Sequence, residues 1–580
     1  MKNILQTLTE NFSEAAVRAF PQIPQHELAI EITPSTQPQF GDYQCNSAMK
    51  LAKLAKLNPR QVAEALLKEL ISPIIASTEI AGPGFINIRI KPEVLAIMAN
   101  EMLHADRLAI ELPASPDKVI IDFSSPNTAK EMHVGHLRST IIGDALARLL
   151  EFKGHHVLRL NHVGDWGTAF GMLIAHIKEQ APQVLQTSEG ATLTDLVRWY
   201  KESKHRFDND PAFKKTAQQE VVLLQGGDKE TLKGWKVICE ISRKAYQEVY
   251  DLLGIKITER GESFYNPMLP MIVAELENKG MVTVSDGAKC IFLDGFQNRE
   301  GMSLPLMVQK SDGGYNYDTT DMAAIYQRLF EEKGNRLIYV TDAGQATHFQ
   351  MIFKAAEKAG WLDPNKVKAE HVPFGLVLGA DGKKFRTRSG DTEKLMDLLD
   401  TAVEQAKKIL DERNPDMSEA EKQALAKTLG IGSVKYADLS CNRVGDYTFS
   451  YDRMLKFEGN TAPYLLYSYV RVQGIKRKVG QDVQQVAKTA AIAISHPSEI
   501  ALALHLVRFS EALDQVAKDL LPNRLAEYLY SLAEKFNAFF RDCRVEGSAE
   551  QNSRLLLCEL TAQVLKQGLH LLGLNTTERM

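Results

Sequence analysis

Asp122-Phe-Ser-Ser-Pro-Asn-Thr-Ala-Lys-Glu-Met-His-Val-Gly-His136 is the stretch on which the reading of this 580-residue chain turns. It follows Val119-Ile120-Ile121, a short apolar run that reads as a buried strand. It precedes a helical pattern with apolar residues at Leu137, Ile141, Ile142, Ala145, Leu146, Leu149 and Leu150, and Gly154 supplies the stop. His133 and His136 therefore fall in the first turn of a helix that leaves a parallel strand. An open α/β sheet binds its ligand at such an edge. Free backbone N–H groups and the helix dipole already favour phosphate there. Gly135 has no Cβ, so a phosphate or a flat ring can approach the backbone closely. Two imidazoles then face the charge on a nucleotide's phosphates. The plainer alternative is a pair of surface histidines capping a core helix.

Composition sets the frame. With 44% hydrophobic and 24% charged residues this is an ordinary globular chain. Its length suggests three or four domains, at roughly 150 residues each. No apolar run reaches the ~20 residues of a membrane helix, and the start Met1-Lys2-Asn3-Ile4-Leu5 lacks the pattern of a signal peptide. Cys45, Cys239, Cys290, Cys441, Cys543 and Cys558 are scattered, with no CxxC pair, so neither a disulfide framework nor a structural zinc is expected. The expectation is a cytoplasmic protein without a protein-held metal. A net charge of −4 gives no global sign of nucleic-acid binding. Local basic patches do exist, at Lys383, Lys384, Arg386 and Arg388 and at Arg471, Lys476, Arg477 and Lys478.

Along the chain, residues 1–110 read as a small α+β unit, with Phe85-Ile-Asn-Ile-Arg-Ile90 a strand. Pro113 to Pro116 mark a linker. Residues 111–395 alternate strand and helix signals, which predicts a doubly wound parallel sheet of Rossmann-like type. Two insertions interrupt it, a charged helical one near 180–260 and a strand-rich one near 276–310. Residues 396–445 read as a helical junction, and 446–580 as an all-α bundle. Leu502, Leu506, Phe509, Leu513, Val516 and Leu520 form one apolar stripe, predicting a single helix over 500–521 ended by Pro522.

Further chemistry sits in two runs. Leu378-Gly-Ala-Asp-Gly-Lys-Lys-Phe-Arg-Thr-Arg-Ser-Gly390 places four cations in six residues between glycines, which suits closure over a polyphosphate. Tyr317-Asp-Thr-Thr-Asp321, with Gln345 24 residues beyond the run, could form a pocket for a planar cation, because a carboxylate fork pairs best with a guanidinium. A helix N-cap is the alternative for this run, and Asp318 fits it better than Asp321.

The first stretch resembles the HIGH signature of class I aminoacyl-tRNA synthetases, written here His133-Val134-Gly135-His136, and Ser124 to Lys130 resembles the arginyl members specifically. Phe385-Arg-Thr-Arg-Ser389 is similar to the KMSKS loop but has Arg388 at its second lysine. Arginyl enzymes often show this loss together with a lysine upstream of HIGH, here Lys130. The resemblance implies Lys130, His133, His136, Arg386 and Arg388 as catalytic, and His133, Gly135, His136, Lys383, Lys384 and His348 as ATP-binding. It implies Ser125, Asn127, His136, Tyr317, Asp321 and Gln345 for arginine. Asn161-His-Val-Gly-Asp-Trp-Gly-Thr-Ala-Phe-Gly171 departs from the family's Gly-Thr-Gln-Phe-Gly at Ala169. For tRNA(Arg) the resemblance points to Phe40, Tyr43, Gln44 and Asn46 in the N-terminal unit, and to Arg453 and Tyr464 where the bundle opens.

The implied activity is that of an arginine–tRNA ligase using ATP and Mg2+, acting as a monomer. Arginyl enzymes also resemble the glutaminyl and glutamyl ones in needing tRNA before they activate the amino acid. Two rivals stand beside this reading. A synthetase for glutamine, glutamate or cysteine would leave Asp321 without a cation or would call for zinc ligands. A silent RNA-binding paralogue is favoured only by Ala169.

Overall fold

Residues 2–386 and 393–580 are described by a computed structural model. Arg388 lies outside these described residues. The N-terminal unit begins with α1 (Ile4–Ala19), started by a capping box in which Asn3 accepts the Gln6 N–H and the Gln6 side chain accepts the Asn3 N–H. Its Ile4, Leu8, Phe12, Ala15 and Ala16 form one buried stripe. Four antiparallel strands, β1 (Ile32–Pro34), β2 (Tyr43–Cys45), β3 (Ile75–Ala81) and β4 (Phe85–Ile90), pair in the order β1-β2-β4-β3. Helices α2 (Ala48–Ala55) and α3 (Pro59–Glu69) cover them, and α4 (Pro92–His104) leads onward.

A five-stranded, wholly parallel sheet follows. Strand β5 (Lys118–Asp122) leads into α5 (Val134–Phe152), and β6 (His156–Asn161) follows. The first insertion is helical: α6 (Ala169–Gln180), α7 (Leu193–Asn209), α8 (Pro211–Gln225) and α9 (Lys229–Leu253). After β7 (Thr258–Glu259) come α10 (Leu269–Asn278) and an antiparallel sheet of β8 (Thr283–Ser285), β9 (Ala288–Gln297) and β10 (Ser303–Gln309). Then α11 (Tyr317–Phe330), β11 (Arg336–Asp342), α12 (Ala346–Lys358) and β12 (Lys368–Phe374) close the domain. The strand order is β12-β11-β5-β6-β7, so the direction of winding reverses between β5 and β11. That crevice is where a doubly wound sheet takes its ligand, and the α5 signature opens onto it.

The short strand β13 (Val377–Leu378) precedes α13 (Leu395–Arg413) and α14 (Glu419–Leu439). It pairs in parallel with β14 (Tyr447–Thr448). The bundle comprises α15 (Tyr451–Met454), α16 (Ala462–Val479), α17 (Val483–Thr489), α18 (Pro497–Val507), α19 (Phe509–Asp519), α20 (Asn523–Asp542) and α21 (Gln551–Leu571). Two expectations change here. The stripe over 500–521 belongs to two helices, because the chain turns at Arg508, whose guanidinium reaches across to Tyr43 and to the Asp42 carbonyl. The second helix stops at Leu520, in a left-handed conformation (φ 54°), before Pro522 is reached. Tyr43, expected to stack on a tRNA base, is wholly buried. It donates to Glu511 at 2.7 Å and lies under the Arg508 guanidinium, so it fastens the N-terminal unit to the bundle.

One residue of α5 ties the layers together. Arg138, with no exposed side-chain surface, donates from Nε to Asp438 of α14 at 3.0 Å. Its Nη1 donates to the carbonyls of Gly375, at 2.8 Å, and Gly445, at 3.1 Å. Removing one partner of such a pair leaves an uncompensated buried charge, whereas replacing both by apolar groups is often nearly neutral. Asp438→Ala is therefore expected to cost about 3–5 kcal/mol in denaturant unfolding, and the double change Arg138→Met with Asp438→Leu to recover much of it. A double variant no more stable than the single one would show that the carbonyls, not the ion pair, hold these layers.

Candidate functional site

The turn from β5 to α5 is strained and heavily stitched. Ser124, Ser125 and Ala129 have positive φ (72°, 51° and 59°), a region costly for residues with a Cβ. Hydrogen bonds hold them there. Ser125 donates its N–H to the Asn161 side chain at 2.9 Å and its hydroxyl to Asp122 at 3.1 Å, and accepts the His162 N–H at 3.2 Å. Asn127 bridges to Gly164, where a Cβ would lie 2.1 Å from the Asn127 Oδ1, so any larger residue would push the Asn127 amide aside. From α9 the Tyr246 hydroxyl meets the Asn127 and Lys130 carbonyls, and Tyr250 bonds to Ser124 at 2.7 Å. These two tyrosines were not singled out in the sequence; phenols four apart on one helix of the insertion were the available signal.

His133 is the N-cap of α5. Its Nδ1 accepts the Gly135 N–H at 3.0 Å, and the Nδ1 of His136 accepts the His133 N–H at 3.1 Å. An imidazole that accepts at Nδ1 carries its hydrogen at Nε2 when neutral. Burial, with Lys384 second, lowers the His133 pKa. Burial, then His133 and Lys130, brings that of His136 down to about 3. Both rings, 4.1 Å apart, are thus neutral donors. Lys130 is exposed and lies over the Tyr200 ring of α7 at 5.5 Å. Lys383, Lys384 and Arg386 are exposed on a turn closed by the Gly379 N–H to the Lys383 carbonyl, at 2.8 Å. Lysine charge thus flanks the imidazoles from two segments distant in sequence.

An acidic pocket forms between α11, α12 and the loop after β6. The His348 Nε2 lies 2.6 Å from Asp321 and its Nδ1 3.3 Å from Asp318, so both ring nitrogens face carboxylates. His162 Nε2 lies 3.6 Å from the other oxygen of Asp321. Burial lowers the His348 pKa, but the two carboxylates override it and raise it to about 9. Glu262, which sequence reading missed, is pushed up to about 8 by burial, then by Asp321 and Asp165. Asp318 is not the N-cap; Asn316 is, and Asp318 accepts the Met307 N–H at 2.8 Å.

Other expected residues lie at the margins. Tyr317 is 62% exposed and meets His348 edge-on at 5.2 Å. Gln345 is exposed and bonds Asp342 at 2.9 Å. Asp165 accepts the Ser263 N–H and hydroxyl, at 2.8 and 2.6 Å, and anchors that loop. Ala169 opens α6 and packs with Met172 and Phe213. Of the residues expected at tRNA, Phe40 (41% exposed) and Arg453 are open to solvent. Gln44 bonds Asn87 at 2.8 Å, and the Asn46 Oδ1 is buried without a partner. Tyr464 is half-buried, its hydroxyl donating to the exposed Glu534 and accepting from Asn537.

Known proteins match this arrangement from end to end. Residues 98–451 match the model of "tRNA synthetases class I (R), catalytic domain", residues 465–580 the "DALR anticodon binding domain", and residues 4–90 the "Arginyl tRNA synthetase N terminal domain". The chain is 64% identical to an arginine–tRNA ligase of Protochlamydia amoebophila and 51% identical to one of Picosynechococcus, each alignment covering 100% of both chains. Among solved structures it superposes on an arginyl-tRNA synthetase of Plasmodium falciparum with a TM-score of 0.89 and 34% identity, covering 100% of both chains. The Thermus thermophilus enzyme, at 24% identity and a TM-score of 0.80 over 99% of this chain and all of the other, shares the fold.

The acidic pocket predicts a pH signature in the ligand-free protein. His348 has a folded pKa above its unfolded value of about 6.5, so its contribution is full below that pH and is lost as pH rises through about 9. Glu262, also raised, binds a proton in the folded state that the unfolded chain releases above about 4.5. Both signs make stability fall from about pH 6 to 9, by at most ~1.4 kcal/mol per unit for each group. Urea titrations at four pH values should show this slope, and Asp321→Asn should flatten it, since Asp321 acts on both. An equal slope in that variant would place its origin elsewhere.

Proposed function

This chain belongs to the arginyl-tRNA synthetases of class I, and we propose that it runs the ATP-dependent ligation of arginine to tRNA through the crevice between β5 and β11. In the first step the arginine carboxylate attacks the α-phosphate of ATP, forming arginyl-adenylate and releasing pyrophosphate. In the second a ribose hydroxyl of the 3′-terminal adenosine of tRNA(Arg) attacks the arginyl carbonyl, and AMP leaves. The protein contributes position and charge rather than covalent chemistry.

The observation that carries the assignment is the acidic cluster of Asp318, Asp321 and Glu262 beside the signature turn. Asp321 pairs with the guanidinium, with Glu262 as a second acid and Tyr317 and Gln345 at the mouth. Ser125 and Asn127 hold the amino and carboxyl groups, linked to the pocket because the His162 N–H bonds Ser125 and its ring faces Asp321. The Nε2–H groups of His133 and His136 donate to the phosphates, and Gly135 leaves room for them. Lys130, Lys383, Lys384, Arg386 and Arg388 neutralise the leaving pyrophosphate. Among the described residues no group of three or more His, Cys, Asp or Glu is placed to hold a metal ion, so Mg2+ is read as arriving on ATP and sharing its phosphate charge. Phe40 and Arg453 remain open for tRNA. The enzyme is read as a cytoplasmic monomer; sedimentation of the free protein tests that state.

Arginine-dependent pyrophosphate exchange, with and without tRNA, tests the reaction. Asp321→Asn is expected to weaken arginine binding by ~3 kcal/mol or more while ATP affinity barely moves; equal losses for both would reject the assignment. Lys130→Ala is expected to lower the activation rate ~100-fold with arginine binding retained. An unchanged rate would move that role to the basic loop, where Lys384→Ala and Arg386→Ala separate the candidates. Exchange at the full rate without tRNA would remove the expectation that RNA is needed for activation.

A further inference from the structure

We propose that His348 holds the place of the substrate's guanidinium on Asp321 in the free protein, and that arginine enters as this imidazolium gives its proton to solvent. The inference rests on the reading of Asp321 as the guanidinium partner. It begins with two distances, 2.6 Å from Nε2 to Asp321 and 3.3 Å from Nδ1 to Asp318. A neutral imidazole has one donor and one acceptor, so it cannot face a carboxylate at both nitrogens without leaving a lone pair against an oxygen. The doubly protonated ring satisfies both. It is then a planar cation with two N–H donors, each on its own carboxylate, and it supplies Asp321 with the positive charge and one of the donors that a guanidinium would bring.

The fork itself is fixed. Asp318 and Asp321 lie three residues apart on α11, and the Met307 N–H holds the second oxygen of Asp318 at 2.8 Å. His348 comes from the first turn of α12. Around it stand the Tyr317 ring, 5.2 Å away, and His162 across Asp321 at 3.6 Å. Glu262 feels Asp321 from the loop before α10, and His371 on β12 feels His348, its own pKa lowered to about 4 by burial first and then by Arg443. A guanidinium that takes both oxygens of Asp321 meets the His348 N–H aimed at one of them. Two cations on one carboxylate repel, and the imidazolium is the one that can shed its proton. The same entry favours ionisation of Glu262, so two groups could release protons and must be told apart.

Calorimetric titration of arginine into the full-length protein, in buffers of different ionisation heat, counts the protons. Near one proton per arginine should leave His348 at pH 7 to 8, and the dissociation constant should fall up to ~10-fold per pH unit between about 7 and 9. His348→Gln, titrated in parallel so that the substrate's own α-amine cancels, should lose that proton and make the profile shallower, leaving only the Glu262 contribution. Glu262→Gln should keep the His348 proton and its share of the profile. No release from the unaltered protein, or release lost in Glu262→Gln and kept in His348→Gln, overturns the proposal. If His348→Gln fails to fold, the unaltered profile and Glu262→Gln still decide between these outcomes. Arginine bound by Asp321→Asn as tightly as by the unaltered protein would instead defeat the pocket assignment on which the proposal rests.

Discussion

A guanidinium with no access to water is the constraint on which this architecture depends. Arg138 sits two residues beyond His136, so the helix that presents the signature to the crevice also delivers a charge to the opposite side. That charge is met by Asp438, by the Gly375 and Gly445 carbonyls, and by the faces of Tyr447 and Phe374 at 5.1 and 5.7 Å. Burying an unpaired ion costs several kcal/mol, so none of these partners can drift away cheaply. Gly375 lies between β12 and β13, Asp438 on α14, and Gly445 just before β14. The sheet, the root of the basic loop and the start of the bundle are therefore referred to one planar group, with the signature turn built on the same helix.

Two histidine environments in the crevice obey opposite electrostatic rules. At the start of α5 the imidazoles spend Nδ1 on backbone N–H groups and are buried near lysines, which keeps them neutral with the hydrogen on Nε2. A neutral donor can follow charge that builds up on phosphate without adding a fixed cation that would bind the ground state equally well. The cations for that task come instead from exposed lysines. In the acidic pocket the balance reverses: carboxylates outweigh burial, and His348 is held charged. Position on the fold, not residue type, separates the two roles, since each ring lies at or near the first turn of a helix following a sheet strand.

The signature turn was legible in the sequence because its logic is local: strand, turn and capped helix lie within about thirty residues, and hydrophobic period alone marks them. The parallel sheet and helical bundle followed from the same periodicities. Asp321 could be picked out by chemistry, but its partners could not. His348 and Glu262 reach it only because α11, α12 and the loop before α10 pack together, and no local pattern encodes that. Tyr43 shows the reverse error. A tyrosine in a Gln- and Pro-rich loop reads as exposed, yet it lies on a three-residue strand whose alternation is too short to detect, and a distant carboxylate claims its hydroxyl. The turn at Arg508 escaped for a related reason: an apolar stripe runs on through a break when both helices bury the same face.

These contacts outline a continuous path from the N-terminal unit to the basic loop. Tyr43 binds Glu511 and Arg508 at the head of α19. At its foot the Leu520 carbonyl accepts from Arg443 at 2.7 Å, while Arg443 also donates to the Pro373 carbonyl at 2.8 Å and its own carbonyl accepts the Gly375 N–H at 2.9 Å. Two residues later β13 pairs with β14, and the Phe385 ring packs on Phe449 at 5.0 Å. Each link is a hydrogen bond or ring contact with little slack. Helix α19 is thus clamped at both ends by arginines that reach into other domains. Displacing it by an ångström against the sheet must break a bond at one end or carry the root of the basic loop along. Packed interfaces of this kind shift between discrete arrangements rather than deform smoothly. The basic loop and the surfaces that Phe40 and Arg453 leave open are in this way joined by one stiff element, although they are far apart in sequence.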